Sequence, residues 1–271
     1  MEKKIKTFTL GSDPEVFLVN AENKLISGIG LIGGSKHAPL YVGDNVFLQE
    51  DNTGVEFSHK PAKTAIEFVA IVETGLNKIR EAVKKYDLSI IIASSGVFEE
   101  DQLLHPDALV FGCDPDFNAW NDVMNEHADA STIGGLRSCG GHIHIGYDKE
   151  LHGLNNNIVK ALDLFLGVPS ILMDDDEKRR SLYGRAGCYR VKKYGLEYRS
   201  LSNFWVKSKD SIEWVWNQVT KAIDFVNDDQ MYLIENHEED IKNAINKTDK
   251  DSARSLVKKF NLTVIEETCV V

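Results

Sequence analysis

Hydrophobic and polar positions alternate along several stretches of the chain. In Ser138-Cys-Gly-Gly-His-Ile-His-Ile-Gly146 two histidines alternate with two isoleucines. An extended strand points successive side chains to opposite faces, so His142 and His144 share one face and Ile143 and Ile145 the other. The same alternation marks residues 7 to 19, with Asp13 and Glu15 opposite Pro14 and Val16. Gly11 to Pro14 reads as a turn-like interruption there, and Pro14 demotes the strand to an edge or a bulge. Val46 to Phe57 reads as a hairpin turning near Asp51 to Gly54, in which Glu50, Asn52 and Glu56 have one parity. Leu196 to Phe204 alternates again, with Glu197 and Arg199 opposite Leu196 and Tyr198. Leu88 to Val97 is a buried strand, and Leu136 to Tyr147 carries the histidines.

Three- and four-residue spacing predicts the helices. One opens at Pro61 and runs to about Tyr86, with Ala62, Ala65, Ile66, Val69, Val72, Leu76, Ile79 and Val83 as its core stripe. Others cover Leu154 to Leu172, Ile212 to Phe225, and about Asp229 to Ile245. Residues 28 to 45 and 99 to 130 read as loops with short elements. No linker divides the chain, so residues 1–271 are expected to form one catalytic domain with a helical C-terminal portion from about 209.

Composition narrows the function classes. The chain has 271 residues, 42% hydrophobic and 27% charged, which is ordinary for a globular protein. No stretch approaches the roughly 18 consecutive apolar residues of a membrane span. The first residues, Met1 to Lys6, are charged and lead into no long apolar run, so no signal peptide is read and a cytoplasmic location is expected. A net charge of −11 argues against general nucleic-acid or anionic-membrane binding. Cys113, Cys139, Cys188 and Cys269 form no C-x-x-C pair and read as reduced, buried thiols. Neither G-x-G-x-x-G before a helix nor G-x-x-x-x-G-K-[ST] is present, so the usual phosphate cradles are absent.

The chemistry lies in the polar strand faces taken together. Asp13, Glu15, Glu56, His142, His144, Glu197 and Arg199 gather on one side of a sheet that needs only its other side for packing. Carboxylates with one or two imidazoles suit Mg²⁺ or Mn²⁺. Arg185 and Arg190, in Tyr183-Gly-Arg-Ala-Gly-Cys-Tyr-Arg190, join Arg199 as guanidinium groups that such ions would repel unless an anion lay between. A polyphosphate meets that condition, so the residues indicate metal-dependent phosphoryl transfer. Two other classes stay open: a hydrolase holding Zn²⁺ on His142, His144 and carboxylates, and a catalytically silent protein that binds a nucleotide or peptide.

Five motifs occur in one order: Gly11-Ser-Asp-Pro-Glu-Val-Phe17, Asn52-Thr-Gly-Val-Glu-Phe57, Cys139-Gly-Gly-His-Ile-His-Ile-Gly146, Tyr183-Gly-Arg-Ala-Gly-Cys-Tyr-Arg190 and Leu196-Glu-Tyr-Arg199. The set resembles the carboxylate-amine ligases of the glutamine synthetase and glutamate-cysteine ligase catalytic fold, in their phage-associated type 2 branch. That resemblance implies an α+β fold, a curved and mainly antiparallel sheet with helices on its outer face. It also implies ATP and Mg²⁺, with Mn²⁺ as the alternative, on the concave face. The implied reaction phosphorylates a small-molecule or peptide carboxylate and passes the acyl group to an amine. By match, Asp13, Glu15, Glu56, His142 and Glu197 are metal ligands. His142, His144 and Arg190 bind the nucleotide, with His144 orienting His142 or touching substrate. Arg185, Arg190 and Arg199 contact phosphates or the activated carboxylate. The chain departs from larger relatives in having Asp13 where the first pair carries Glu, and in being compact.

Overall fold

The computed structural model describes residues 4–109, 116–125, 134–174, 177–180 and 182–265. Cys113, Asp114 and Cys269 lie outside the described residues. The strands are β1 (Thr9–Val19), β2 (Leu25–Ile26), β3 (Leu40–Tyr41), β4 (Val46–Asp51), β5 (Gly54–His59), β6 (Ser89–Ile91), β7 (Ser95–Val97), β8 (Phe117–Asn118), β9 (Val123–Met124), β10 (Leu136–Ser138), β11 (Gly141–Gly146), β12 (Cys188–Lys192) and β13 (Gly195–Tyr198). The helices are α1 (Ala65–Val83), α2 (Asn155–Leu162), α3 (Val168–Met173), α4 (Glu177–Arg180), α5 (Lys209–Asn227), α6 (Tyr232–Glu235), α7 (Glu238–Asn246) and α8 (Lys250–Phe260). A π turn, Asp163–Gly167, joins α2 to α3.

The fold is α+β, built on an antiparallel sheet of order β3-β4-β5-β1-β11-β13-β12-β8-β9, with β2 and β6 also paired to β1. Leu10, Val16, Leu48, Val55, Phe57, Ile143, Ile145, Leu196 and Tyr198 are buried almost completely on one face. Against it, α1 packs on β4 and β5 while α2 packs on β12 and β13. A further helical layer places α5 across α1 and α2, with α7 and α8 beside α3. The helical run Lys149–Met173 is long and apolar enough to cross a membrane, and 67% of its most apolar window is buried inside this fold.

Several element boundaries differ from the sequence reading for local reasons. β1 is continuous and central, so Pro14 does not mark an edge. The pairing offset instead shifts by one residue between the Leu10–Ala62 bridge and the Glu15–Glu56 pair, and Pro14 sits in that interruption. α1 starts four residues after Pro61, where the Thr64 side chain accepts from the Glu67 amide and Ala62 is bridged to Leu10. Ile66 is consequently 83% exposed, and Phe68 takes the core position. Residues 88 to 97 form two short strands rather than one, β6 on β1 and β7 on β10. The expected strand over 136 to 147 likewise divides at Cys139-Gly140 into β10 and β11. The helix expected over 229 to 245 breaks into α6 and α7, and α8 was not read from the pattern.

Candidate metal and anion site

Residues directly opposite one another in an antiparallel pair share a face. Asp13 lies opposite His142, His144 opposite Glu197, and Glu197 opposite Arg190. On the other flank of β1, Glu15 lies opposite Glu56, and Glu56 opposite Gln49. The register therefore carries one polar face across β4, β5, β1, β11, β13 and β12, away from the helices. Asp51, opposite Gly54 at the end of the hairpin, belongs to this face as well.

Two trios form there. Ligand atoms of Asp13, His142 and Glu197 lie within 4.8 Å of one another, as do those of Glu15, Asp51 and Glu56. His142 Nδ1 is 3.2 Å from Asp13 Oδ1 and 3.8 Å from Glu197 Oε1. Glu15 Oε2 accepts the Gly140 amide at 2.8 Å, which fixes the carboxylate at the break between β10 and β11. The glycine pair in Cys139-Gly-Gly-His142 has a steric cause. A Cβ on Gly140 would stand 2.6 Å from His142 Nε2, and one on Gly141 would stand 2.4 Å from the Ser202 carbonyl. Trp205 Nε1 also donates to the Gly141 carbonyl at 3.0 Å.

The trios differ in their compensation. Glu197 is surrounded by cations: Arg199 is hydrogen-bonded to Oε1, Arg190 Nη1 lies 3.5 Å from the same oxygen, and Lys192 Nζ is 2.5 Å from Oε2. Arg199 Nε also pairs with Asp116 Oδ2 at 3.3 Å. Burial and Asp13 raise the Glu197 pKa, but Arg199 and the two histidines outweigh them and hold it down at about 2. Asp13 is likewise held well below the carboxylate range, burial being overcome by His144 and His142. His142 is pushed down by burial and by Arg199, which favours the neutral imidazole that a metal requires.

In the second trio carboxylates crowd together. Burial and the neighbouring Asp51 lift Glu15 to about 8, and burial with Asp13 lifts Asp51. Lys36 and Arg179 ease this only in part. The donors fit a hard divalent cation: three carboxylates in one trio, two and an imidazole in the other. Asp13 Oδ1 is, moreover, a buried oxygen that accepts no hydrogen bond among the described residues.

The structure thus brings Asp13, Glu15, Glu56, His142, His144, Glu197, Arg190 and Arg199 to one face. Arg185 lies on the loop before β12, where it is exposed and its carbonyl accepts from Ser200. His144 Nε2 stands 3.0 Å from Asp13 Oδ2, and Nδ1 is 2.5 Å from Tyr194 Oη. The His144 ring thus stands between Asp13 and Tyr194. Glu50 is on the opposite face, because the turn at Asn52, φ +59°, sets it against Val55. There it accepts the amides of Gly30, Ile32 and Gly33. Asp51, Lys192 and Arg179 were missed; the Asp51–Gly54 register of the hairpin was the available signal for the first. Burial pushes the Cys139 and Cys188 thiols up, as inert thiols require.

No curated protein is recognisably similar in sequence to the chain. Similar solved structures include a bifunctional glutathione synthetase from Pasteurella multocida, with TM-score 0.48 and 10% identity over 94% of this chain and 49% of that one. The chain thus spans about half the length of that enzyme. GmaS without ligand aligns with TM-score 0.40 and 9% identity, over 98% of this chain and 73% of that one. A family profile matches residues 128–267, just over half of the chain and the part that holds His142, Arg190, Glu197 and Arg199. By that match the chain belongs to the Phage phiEco32-like COOH.NH2 ligase-type 2 family.

Proposed function

We propose that the protein is an ATP- and Mg²⁺-dependent ligase that joins a carboxylate to an amine through an acyl-phosphate. The observation that carries this reading is the single sheet face on which two acidic trios meet a group of fixed cations around Glu197. Divalent cations, Mg²⁺ or Mn²⁺, would be held by Glu15, Asp51 and Glu56 and by Asp13, His142 and Glu197. Bound there, they would supply charge neutralisation to the phosphates of ATP.

The chain's own residues account for the rest. A carboxylate is a poor acyl donor, because its leaving group would be an oxide; phosphorylation supplies a phosphate to depart when the amine attacks. On this reading Arg190 and Arg199 meet the charge that builds on the transferred group, because their guanidinium forks suit phosphate or carboxylate oxygens. Glu197 holds both arginines in place before substrate arrives. His144 and Tyr194 hold Asp13, and His142 stays neutral as a ligand. The substrates on this reading are small-molecule or peptide acids and amines, handled in the cytoplasm.

Hydroxylamine tests the reaction. With ATP, Mg²⁺ and a panel of carboxylic acids, the purified protein is expected to release ADP and form a hydroxamate with at least one acid. ADP release that no acid stimulates, with no hydroxamate across a broad panel, would count against acyl activation.

A further inference from the structure

Asp163 opens the π turn between α2 and α3, on the helical side of the sheet, and its side chain is fully buried. Three donors converge on its carboxylate: Trp120 Nε1 at 2.6 Å and the Gly187 amide at 2.6 Å on Oδ2, and Tyr198 Oη at 2.8 Å on Oδ1. Ser200 Oγ lies 3.4 Å from Oδ1 and directs its proton to the Arg185 carbonyl at 2.8 Å. Each donor belongs to a segment that carries a member of the ion-pair group around Arg199 and Glu197. Tyr198 sits between Glu197 and Arg199, Gly187 precedes β12 with Arg190, and Trp120 follows β8 and Asp116. Gly187, at φ +79°, turns its amide to Asp163 in a backbone conformation that favours glycine. A π turn within a helix is an irregularity found often near functional sites.

We propose that Asp163 is a positioning residue that sets Arg199 and Arg190 against Glu197 and Asp116 from the opposite face of the sheet. It touches none of the reacting atoms. One carboxylate ties together, from the helical side, three neighbouring segments of the sheet that also supply the ion-pair group. Asparagine is nearly isosteric but uncharged and accepts on one side only: with its oxygen toward Trp120 and Gly187, its N–H groups turn the Tyr198 hydroxyl from donor to acceptor. The proposal rests on the reading that these arginines meet the anionic substrate, and its test separates the two.

The experiment compares wild type, Asp163→Asn, Arg199→Lys and the double variant, each labelled with ¹⁵N-arginine. The Arg199 Nε–H resonance, identified by its loss in Arg199→Lys, is expected to move toward the free-arginine position in Asp163→Asn. That of Arg137, whose Nε donates to the Ala108 carbonyl at 3.1 Å, should stay in place. Mg²⁺·ATP affinity, read with a fluorescent nucleotide, should fall by about 10- to 100-fold in Asp163→Asn. The double variant should bind no more weakly than Arg199→Lys alone, because Asp163 acts through Arg199. An unmoved Arg199 resonance, or additive losses, overturns the proposal. Should Asp163→Asn not fold, Trp120→Phe and Tyr198→Phe each remove one donor and are read by the same resonance. Wild-type protein that binds no nucleotide would refute the ligase reading, and the arginine resonance would still decide the role of Asp163.

Discussion

Glu15 and Glu197 are glutamates on adjoining parts of one sheet face, yet their surroundings drive them in opposite directions. Glu15 faces other carboxylates and keeps its proton to about 8, whereas Glu197 is ringed by Arg199, Arg190 and Lys192. In the unfolded chain Glu15 loses its proton near 4.5, so between that value and about 8 the folded state binds more protons. Its contribution to stability is therefore lost as pH rises through that window. Gln cannot ionise. Without divalent cations, wild type is expected to lose thermal stability relative to Glu15→Gln between pH 5 and pH 8, and parallel melting profiles would refute this. Truncating Glu197 is different, because it strips buried Arg199 of its nearest anion. Glu197→Ala is expected to cost about 3–5 kcal/mol in denaturant unfolding, and a cost near zero would mean that the ion-pair group is not formed.

Elements place these residues through register and close approach. The alternation in β1, β11 and β13 was legible, because a strand with one apolar face leaves its polar residues only one direction. Thus Asp13, Glu15, His142, His144 and Glu197 fall on the face where the pattern puts them. Asp51 was legible only through the hairpin register, since a turn between Asp51 and Gly54 puts Asp51 and Gln49 on the face of Glu56 and turns Glu50 away. The position of α1 was half legible. Its stripe is correct from Val72 onward, but the cap at Thr64 delays its start. That helix reaches β5 through Gly75, where a Cβ would stand 2.2 Å from the Phe57 ring. Gly75→Ala is expected to destabilise by about 1–3 kcal/mol through overpacking, against little change for Gly153→Ala, where nothing stands within 4 Å of an added Cβ. Equal effects in chemical denaturation would contradict this packing. Gly140→Ala acts on the site instead, displacing the His142 ring. About tenfold weaker divalent-ion binding is expected with the fold retained; unchanged ion affinity would show that the ring has room to move.

For the whole molecule, helices cover one face of the sheet and leave the other to acids and fixed cations. The profile match lies in residues 128–267, while Asp13, Glu15, Asp51 and Glu56 come from the segment before it. The register of β1 with β11 and β5 joins the two parts into one site. Net charge carries only an expectation about binding partners and cannot show that the acids converge; long-range strand pairing does that. The Asp163 network was equally hidden, because it depends on packing between segments far apart in the chain, whereas α8 had a local signal in the Asp249 cap and the Ala253 and Leu256 spacing. The acidic trios are expected to take divalent cations. A Mn²⁺ titration followed by electron paramagnetic resonance tests it directly, on wild type and on Glu15→Gln and Asp51→Asn. Wild type is expected to bind Mn²⁺ in competition with Mg²⁺, with affinity about tenfold or more weaker in each variant. Titrations that leave both variants indistinguishable from wild type would contradict it.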